Sequence, residues 1–396
     1  MKIIRITILL TLILIGCAVV WVLLPSHIAL DEIGSDFAGY WTSGHLLLQG
    51  NNPYSMENLL ALQQSLGLSG KGPVVIYNPP WVLTFLLPFG ALNFATAKFI
   101  WLACTLFLIM YCSDRLWLIY GGSNKSRVLV LLVVATFSPM LFVFKLGQIV
   151  PFMLLGLVGF LHFVSKKQWW LAGMMTVFIA VKPHTLYLFW FALLLWALKH
   201  RLWQVLMGSA IALFCVSLPP LFFNPNVISQ YFSDIVLKSY ATYWATPTFG
   251  TFMRLCFGSE KYWLQYIPVL AGLIWFIFYW RVHRDRWTWE NDIHPLIIIS
   301  LITNIYTWSF DYLMILPAVI QAAVWIHQAP GLRHRGGIIL LYIMINVTAF
   351  VATYLPLSHW YLLMPFALWA DYVLLKNQLA SNITANAKHV HQTTVY

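Results

Sequence analysis

The sequence predicts an all-α polytopic membrane protein with about 12 transmembrane helices, one re-entrant or interfacial helix and two larger extracytoplasmic loops. Three observations lead to this prediction. The 396 residues are 61% hydrophobic and only 9% charged, whereas a soluble domain carries about 25% charge. Apolar runs of about 15–24 residues recur along the chain, close to the ~20 residues that a helix needs to cross a bilayer. Short clusters of basic residues separate these runs, as in the cytoplasmic loops of membrane proteins.

The predicted membrane helices follow one another along the whole chain. They cover residues 4–24, 97–120, 128–145, 149–165, 168–182, 184–199, 202–222, 262–281, 293–309, 312–328, 337–355 and 358–375. The first run exceeds the ~7–15 apolar residues of a signal-peptide core, and its apolar character continues past Cys17, so we expect a retained anchor. The run 79–93 is short and is interrupted by Pro88 and Gly90, which predicts a re-entrant or interfacial helix.

The distribution of basic residues orients these helices. With the N-terminus inside and the spans alternating, most of the 23 Lys and Arg residues fall on the inside, as the positive-inside rule requires. Loops 25–78 and 223–261 are then extracytoplasmic, and helices predicted at 36–49 and 55–66 lie on the membrane surface. Residues 1–376 form a single transmembrane domain, followed by a polar cytoplasmic tail at 377–396.

The remaining composition excludes several classes of partner. The net charge of +11 comes from short clusters between apolar runs, which orient the protein in the membrane rather than bind nucleic acid. The five cysteines show neither metal-ligand spacing nor an implied disulfide pair. No carboxylate pair clearly forms a metal site. We therefore predict membrane lipids as surroundings and neither a metal nor another cofactor.

The unusual polar residues converge on the predicted outer face. Ionisable groups at membrane depth are functional candidates by default. Simpler interpretations exist for each: a helix N-cap for Asp36, an interfacial belt for the tyrosines, snorkelling for the lysines, a helix end for His184, and an ion pair for Asp311. Their convergence nevertheless favours a site. The candidates are Asp36, Tyr40, Tyr54, Tyr77, Lys145, Gln148, Lys182, His184, Arg254 and Asp311.

These residue types suit the transfer of a group from a lipid phosphate to a hydroxyl. Cations at Lys182, His184 and Arg254, with Lys145, would hold the anionic phosphate. A carboxylate would accept the proton of the attacking hydroxyl. Aromatic side chains and Gln148 suit a sugar ring, which has apolar faces and polar edges. The candidates for binding the sugar or the acceptor are Tyr40, Tyr54, Tyr77, Gln148 and Asp311. A nucleotide sugar would require a cytoplasmic site, and the chain has no predicted domain for one.

A set of short motifs then resembles a known family. In order, the motifs are Asp36-x3-Tyr40, Gly50-x-Asn52-Pro53-Tyr54, Tyr77-x-Pro79, Pro88, Gly147-Gln148, Lys182-Pro183 and Trp308-Ser309-x-Asp311. They resemble the polyprenyl-phosphate-sugar-dependent glycosyltransferases of the GT-C superfold. The greatest resemblance is to glycosyltransferase family 87, which includes bacterial alpha-mannosyltransferases.

The resemblance implies a GT-C-like fold and an acidic base in the first outer loop, which corresponds to Asp36, with Asp31 and Glu32 as rival acids. It implies a polyprenyl-phosphate-linked sugar donor, with mannose as the first sugar to expect, and a lipid or glycan acceptor. We expect a bacterial cytoplasmic membrane, with the site on the outer face that the distribution of basic residues assigns. The segment before Arg254 departs from the family pattern. A transporter or flippase of lipid-linked saccharides and a glycan ligase are the alternatives.

Overall fold

The structure, a computed structural model, describes residues 35–68, 72–238, 244–329, 335–352, 363–370 and 372–377. The predicted first span, Asp31, Glu32 and nearly all of the polar tail lie outside these residues. All regular secondary structure in the described ranges is helical, as the sequence predicts.

Sixteen α-helices within the described ranges are numbered in chain order. They are α1 (Ser35–Leu48), α2 (Met56–Ser65), α3 (Leu83–Gly90), α4 (Phe94–Ile119), α5 (Val128–Thr136), α6 (Ser138–Leu146), α7 (Val150–Ser165), α8 (Trp169–Ile179), α9 (Tyr187–Lys199), α10 (Trp203–Phe223), α11 (Val227–Tyr231), α12 (Phe249–Phe257), α13 (Tyr266–His283), α14 (Trp289–Thr303), α15 (Leu316–Gln328) and α16 (Arg335–Ala352). Residues 363–370 and 372–377 are also helical. Short 3₁₀ segments precede α3, α13 and α15 at Pro80–Val82, Tyr262–Gln265 and Ser309–Ile315.

Several helices are suited to a bilayer. In the described part of the chain, four are long and apolar enough to cross it: Phe94–Ile119, Trp203–Phe223, Tyr262–His283 and Ser309–Gln328. The apolar helices α7, α8 and α9 are shorter. Large side chains such as Phe214 and Phe222 lie exposed on α10, where lipid rather than water would surround them. The protein is therefore an integral membrane protein, while the count of about 12 spans stays a prediction.

The predicted span 128–145 is broken in the structure. Helices α5 and α6 meet at an angle of 71°, and Phe137 between them is extended. Pro139, the second residue of α6, contributes to the break, because proline has no amide hydrogen with which to continue the hydrogen bonds of α5. The predicted span 293–309 is also too long, since α14 ends at Thr303 and Asn304 is extended.

Helix α1 packs into the body of the protein. Ten of its fourteen residues are buried, on all sides of the helix, so it lacks the lipid-facing stripe expected of a surface helix. Its closest neighbour is α3, the short helix that contains Pro88 and Gly90. The two helices cross at Gly44 and Gly90, where a Cβ on Gly90 would lie 2.5 Å from the carbonyl carbon of Gly44. This close approach holds the C-terminal half of α1 against α3, about two turns beyond Asp36.

Candidate active site

The candidate site is a cavity of about 350 Å³ where several chain segments meet. Much of its wall comes from the start of α1, the non-helical segment 74–79, the turn between α6 and α7, and the turn between α8 and α9. Trp244 and the segment 306–310 complete it. The structure thereby brings together six of the ten residues chosen from the sequence: Asp36, Tyr40, Tyr77, Gln148, Lys182 and His184.

Gln148 lies at the centre of a polar network. Gly147 ends α6 in the left-handed conformation with φ 70°, which glycine adopts without steric cost. Gln148 follows it and is buried. Its amide nitrogen donates to the carboxylate of Asp36, while its amide oxygen accepts from the Tyr40 hydroxyl at 3.1 Å and the Lys182 ammonium at 3.3 Å. The orientation of the amide follows from these partners, because its oxygen faces two donors and its nitrogen faces a carboxylate.

Asp36 occupies the first turn of α1 and remains partly exposed at the cavity. Burial raises the pKa of Asp36 above its ordinary value, while the Gln148 hydrogen bond and the Lys182 charge oppose that rise. A carboxylate that is partly desolvated and still ionisable is suited to accept a proton. Its contact with Gln148, 112 residues away, ties it to the cavity network.

Lys182 points inward, with its side chain only 12% exposed. Its ammonium lies 2.9 Å from the Asp311 carboxylate and 4.5 Å from the ring centroid of Phe310. This arrangement replaces the snorkelling interpretation, because the ammonium is held by groups inside the protein. The sequence interpretation that Asp311 pairs with a basic neighbour agrees with the structure.

Asp311 lies behind Lys182 rather than on the cavity surface. One carboxylate oxygen binds Lys182, and the other accepts the backbone N–H of Trp308 at 2.9 Å. Asp311 is buried, and it is absent from the cavity lining among the described residues. The structure therefore gives it contacts that position Lys182, rather than the direct sugar contact that the sequence predicts.

His184 follows Lys182 in the same turn, and its ring lies 4.5 Å from the ring of Tyr306. Burial and the charge of Lys182 lower the pKa of His184 to about 3. This environment disfavours the cationic form of His184, which the sequence analysis counts among the phosphate-binding cations. A neutral imidazole still offers one N–H donor to the cavity.

Aromatic side chains form part of the cavity wall, and Trp244 contacts three of them. The Trp244 ring lies 4.7 Å from Tyr77, 5.4 Å from Tyr306 and 5.6 Å from Trp308. These rings add broad apolar surface to a cavity that the polar network also lines. Of these residues only Tyr77 was chosen from the sequence, although Trp308 belongs to a recognised motif. Trp244 and Tyr306 carry no local sequence signal, because tryptophan and tyrosine are abundant throughout this chain.

Three further predicted site residues lie outside the cavity lining. Tyr54 is fully buried and donates to the carbonyl of Asn78 at 3.1 Å, which supports the cavity segment from behind. Lys145 lies in the last turn of α6. Arg254 is buried on α12, where it donates to the carbonyls of Trp244 at 3.2 Å and Ser259 at 2.9 Å. Arg254 thus holds the backbone of a lining residue.

The site combines one potential base, one inward cation and two faces of different polarity. Asp36 and Lys182 both contact Gln148, so a ligand between them would meet a proton acceptor and a positive charge together. Among the described residues, no three His, Cys, Asp or Glu side chains group closely enough to hold a metal ion. The arrangement suits proton removal from a hydroxyl beside an anionic leaving group.

Comparison with known proteins agrees with this chemistry. The sequence model of glycosyltransferase family 87 matches residues 76–292, more than half of the chain. The match includes Tyr77, Gln148 and Lys182, while Asp36 and Asp311 lie outside it. Neither a curated protein nor a solved structure matches this chain. The family assignment and the membrane helices lead to one conclusion: the chain belongs to glycosyltransferase family 87 and is a membrane glycosyltransferase.

Proposed function

We propose that this enzyme transfers a sugar, with mannose as the first candidate, from a polyprenyl-phosphate donor to a hydroxyl of a lipid-linked or glycan acceptor. Asp36 is the general base in this proposal. The observation that carries it is the network in which Gln148 bridges the Asp36 carboxylate and the Lys182 ammonium at the surface of one cavity.

The proposed step is a substitution at the anomeric carbon. The acceptor oxygen forms a bond to that carbon, the bond between the carbon and the phosphate oxygen breaks, and the acceptor proton moves to Asp36. The leaving polyprenyl phosphate keeps the electron pair and gains negative charge. Lys182 would stabilise that charge, since a preoriented cation in a partly dehydrated site stabilises developing charge strongly.

The choice of a sugar is supported by the shape and chemistry of the cavity walls. Trp244 and Trp308 line the cavity and supply apolar surface for a pyranose, while Tyr40 and Gln148 supply hydrogen-bonding groups in the same cavity. Ligand sites typically combine an apolar lining with a few placed polar groups. A cavity of about 350 Å³ leaves room for a monosaccharide and part of its acceptor.

The choice of a lipid-linked donor is supported by the membrane setting. Most basic residues fall in the loops predicted to be cytoplasmic, so Asp36 and Lys182 are assigned to the opposite face. Nucleotide sugars are soluble cytoplasmic donors and would not reach that face. A donor whose chain remains in the bilayer would reach it while staying attached to the membrane.

A donor panel tests the proposal. The purified full chain, reconstituted in liposomes with a membrane extract as the source of acceptors, is supplied with radiolabelled polyprenyl-phosphate mannose, polyprenyl-phosphate glucose or a nucleotide-linked mannose. We expect transfer from a polyprenyl-phosphate donor, with mannose preferred, and a rate lower by ~10²–10⁴-fold in the Asp36→Asn variant. Transfer from the nucleotide sugar alone would contradict the proposed donor class. Transfer of glucose in preference to mannose would overturn the sugar while leaving the donor class intact.

A further inference from the structure

A second cavity, of about 260 Å³, lies away from the candidate active site. It is formed by α4, α7 and α8, and both α4 and α8 pack against α7. None of its lining residues belongs to the first cavity or to the polar network around Gln148. Its lining is Tyr111, Arg115, Leu155, Val158, Gly159, His162, Phe163 and Met175.

Arg115 supplies a positive charge without a matching carboxylate. Within the described ranges, no carboxylate lies within 4.0 Å of its side chain. The adjacent Asp114 is engaged by Arg127 at 3.3 Å. The guanidinium instead lies 5.2 Å from the ring centroid of Tyr111. Such a cation retains its fork of N–H donors for an anion.

His162 brings a second hydrogen-bonding group to the same cavity. It lies in the last turn of α7, and Arg115 lies near the C-terminal end of α4. Imidazole and guanidinium groups both donate hydrogen bonds to phosphate oxygens. One end of this cavity is therefore suited to an anionic phosphate group.

The remainder of the cavity is apolar and is bounded by surface that lipid would cover. Leu155, Val158 and Met175 line it. Next to Tyr111 and Met175, the side chains of Phe107 and Met174 are exposed on the outer surfaces of α4 and α8. A free phosphate ion would leave this apolar part unfilled, whereas an acyl chain would bury it favourably.

The predicted position of this cavity along the membrane normal agrees with binding of a lipid headgroup. Arg115 belongs to the inner end of α4 in the charge-based topology, and Lys166 and Lys167 follow α7 at the same end. Basic residues at this level attract anionic lipids of the inner leaflet. The cavity therefore has its charge near the predicted headgroup level and its apolar residues deeper in the hydrocarbon.

We propose that this cavity is a binding site for an anionic phospholipid of the inner leaflet. Arg115 and His162 bind the phosphate, and the surface formed by Leu155, Val158 and Met175 receives part of an acyl chain. The site is separate from the donor site and does not depend on the identity of the transferred sugar.

Native mass spectrometry of the purified full chain tests the site directly. The protein is titrated in micelles with phosphatidylglycerol or phosphatidylcholine of the same chain length, and the bound lipids are counted. We expect phosphatidylglycerol to be retained in preference to phosphatidylcholine. The Arg115→Gln variant should lower the apparent affinity for phosphatidylglycerol by about tenfold, because one charge-assisted contact is lost.

Lys125→Gln is the matched control, because it removes the same charge from an exposed residue at the same predicted face. It should bind phosphatidylglycerol like the unmodified chain. Leu155→Trp, which fills the apolar part of the cavity, should weaken lipid binding while Arg115 is retained. Equal phosphatidylglycerol binding by Arg115→Gln and the unmodified chain would overturn the proposal. Displacement of the lipid by equimolar inorganic phosphate would do the same, because it would identify a site for free anions.

Discussion

Two carboxylates near the active-site cavity, Asp36 and Asp311, are held in different ways. At the start of α1, Asp36 borders the cavity, and its carboxylate accepts a hydrogen bond from the Gln148 amide. In the 3₁₀ turn Ser309–Ile315, Asp311 lies behind the wall and uses one oxygen for Lys182 and the other for the Trp308 amide. The first carboxylate is accessible to a ligand, whereas the second is committed to the protein.

This difference separates a reacting group from a positioning group. A proton acceptor must reach its substrate and must remain able to change charge. A carboxylate that is buried and bonded through both oxygens instead maintains the position of its partners. Sequence alone offers two acids near one predicted site, and their contacts assign the different roles.

Asp36→Asn should cause the largest loss of activity. An amide of the same shape cannot accept the proton, so we expect the transfer rate to fall by ~10²–10⁴-fold. Because burial raises the pKa of Asp36, the folded state binds this proton more tightly than the unfolded state and loses stability as pH rises through that pKa. Asparagine remains neutral, so the variant should be no less stable at neutral pH. Transfer assays and thermal unfolding measure the two effects. Near-normal turnover would exclude Asp36 as the base.

Lys182→Ala should impair donor use and stability together. It removes the cation beside the proposed phosphate site and leaves Asp311 buried without its ionic partner, at a cost of about 3–5 kcal/mol in stability. The KM for donor should rise by about tenfold or more. Lys182→Arg is the control that retains the charge. An unchanged donor KM in stably folded Lys182→Ala would reject the phosphate contact.

Asp311→Asn tests the opposite end of the comparison. Its remaining amide oxygen can still accept the Trp308 N–H, but Lys182 loses its ionic partner. We expect a reduction in kcat/KM of about tenfold, smaller than that of Asp36→Asn, because the base is retained. Steady-state kinetics of both variants decides the order. A larger loss in Asp311→Asn would reverse the roles assigned to the two carboxylates.

Gln148→Leu should change the pH dependence more than the maximal rate. The Gln148 hydrogen bond lowers the pKa of Asp36, so its loss should raise that pKa further. The acid limb of kcat/KM would then move to higher pH, because Asp36 must be ionised to act as a base. A profile from pH 4 to pH 9 measures the shift. If the acid limb stays at the same pH as in the unmodified enzyme, ionisation of Asp36 is not its cause.

Arg254→Gln should have the smallest effect on transfer. Its guanidinium holds the Trp244 carbonyl rather than lining the cavity, so the variant should loosen one aromatic wall. We expect a loss of about 1–3 kcal/mol in stability and a KM increase of a few fold, less than in Lys182→Ala. A donor KM increase exceeding that of Lys182→Ala would restore the predicted phosphate contact.

Much of the helical pattern follows from local sequence. The predicted runs 149–165 and 202–222 correspond closely to α7 and α10, because hydropathy over about 20 residues reports burial in lipid. The break at Phe137 could also have been predicted from the sequence, because Pro139 lies two residues after it. The end of α14 was less accessible, because it depends on Asn304 bonding to the distant His184 carbonyl.

The site was predictable wherever a motif joined a polar residue to a break between helices. Gly147-Gln148 and Lys182-Pro183 are such breaks, and both turns reach the cavity. Arg254 was chosen for its charge in the second large loop, without such a motif, and its guanidinium bonds backbone carbonyls. The sequence shows that a buried charged residue needs a partner, but it does not show whether that partner belongs to the protein or to the substrate.

The sequence by itself determined that this protein is helical, is built for a membrane, and carries Asp36, Gln148 and Lys182 as candidate site residues. These properties depend on composition and on short motifs, which any folded arrangement of the chain must accommodate. Only the tertiary structure decided that Gln148 connects Asp36 with Lys182, that Asp311 lies behind them, and that Trp244 completes the wall. Those contacts join residues more than 100 positions apart in some pairs, and their geometry depends on how the intervening helices pack.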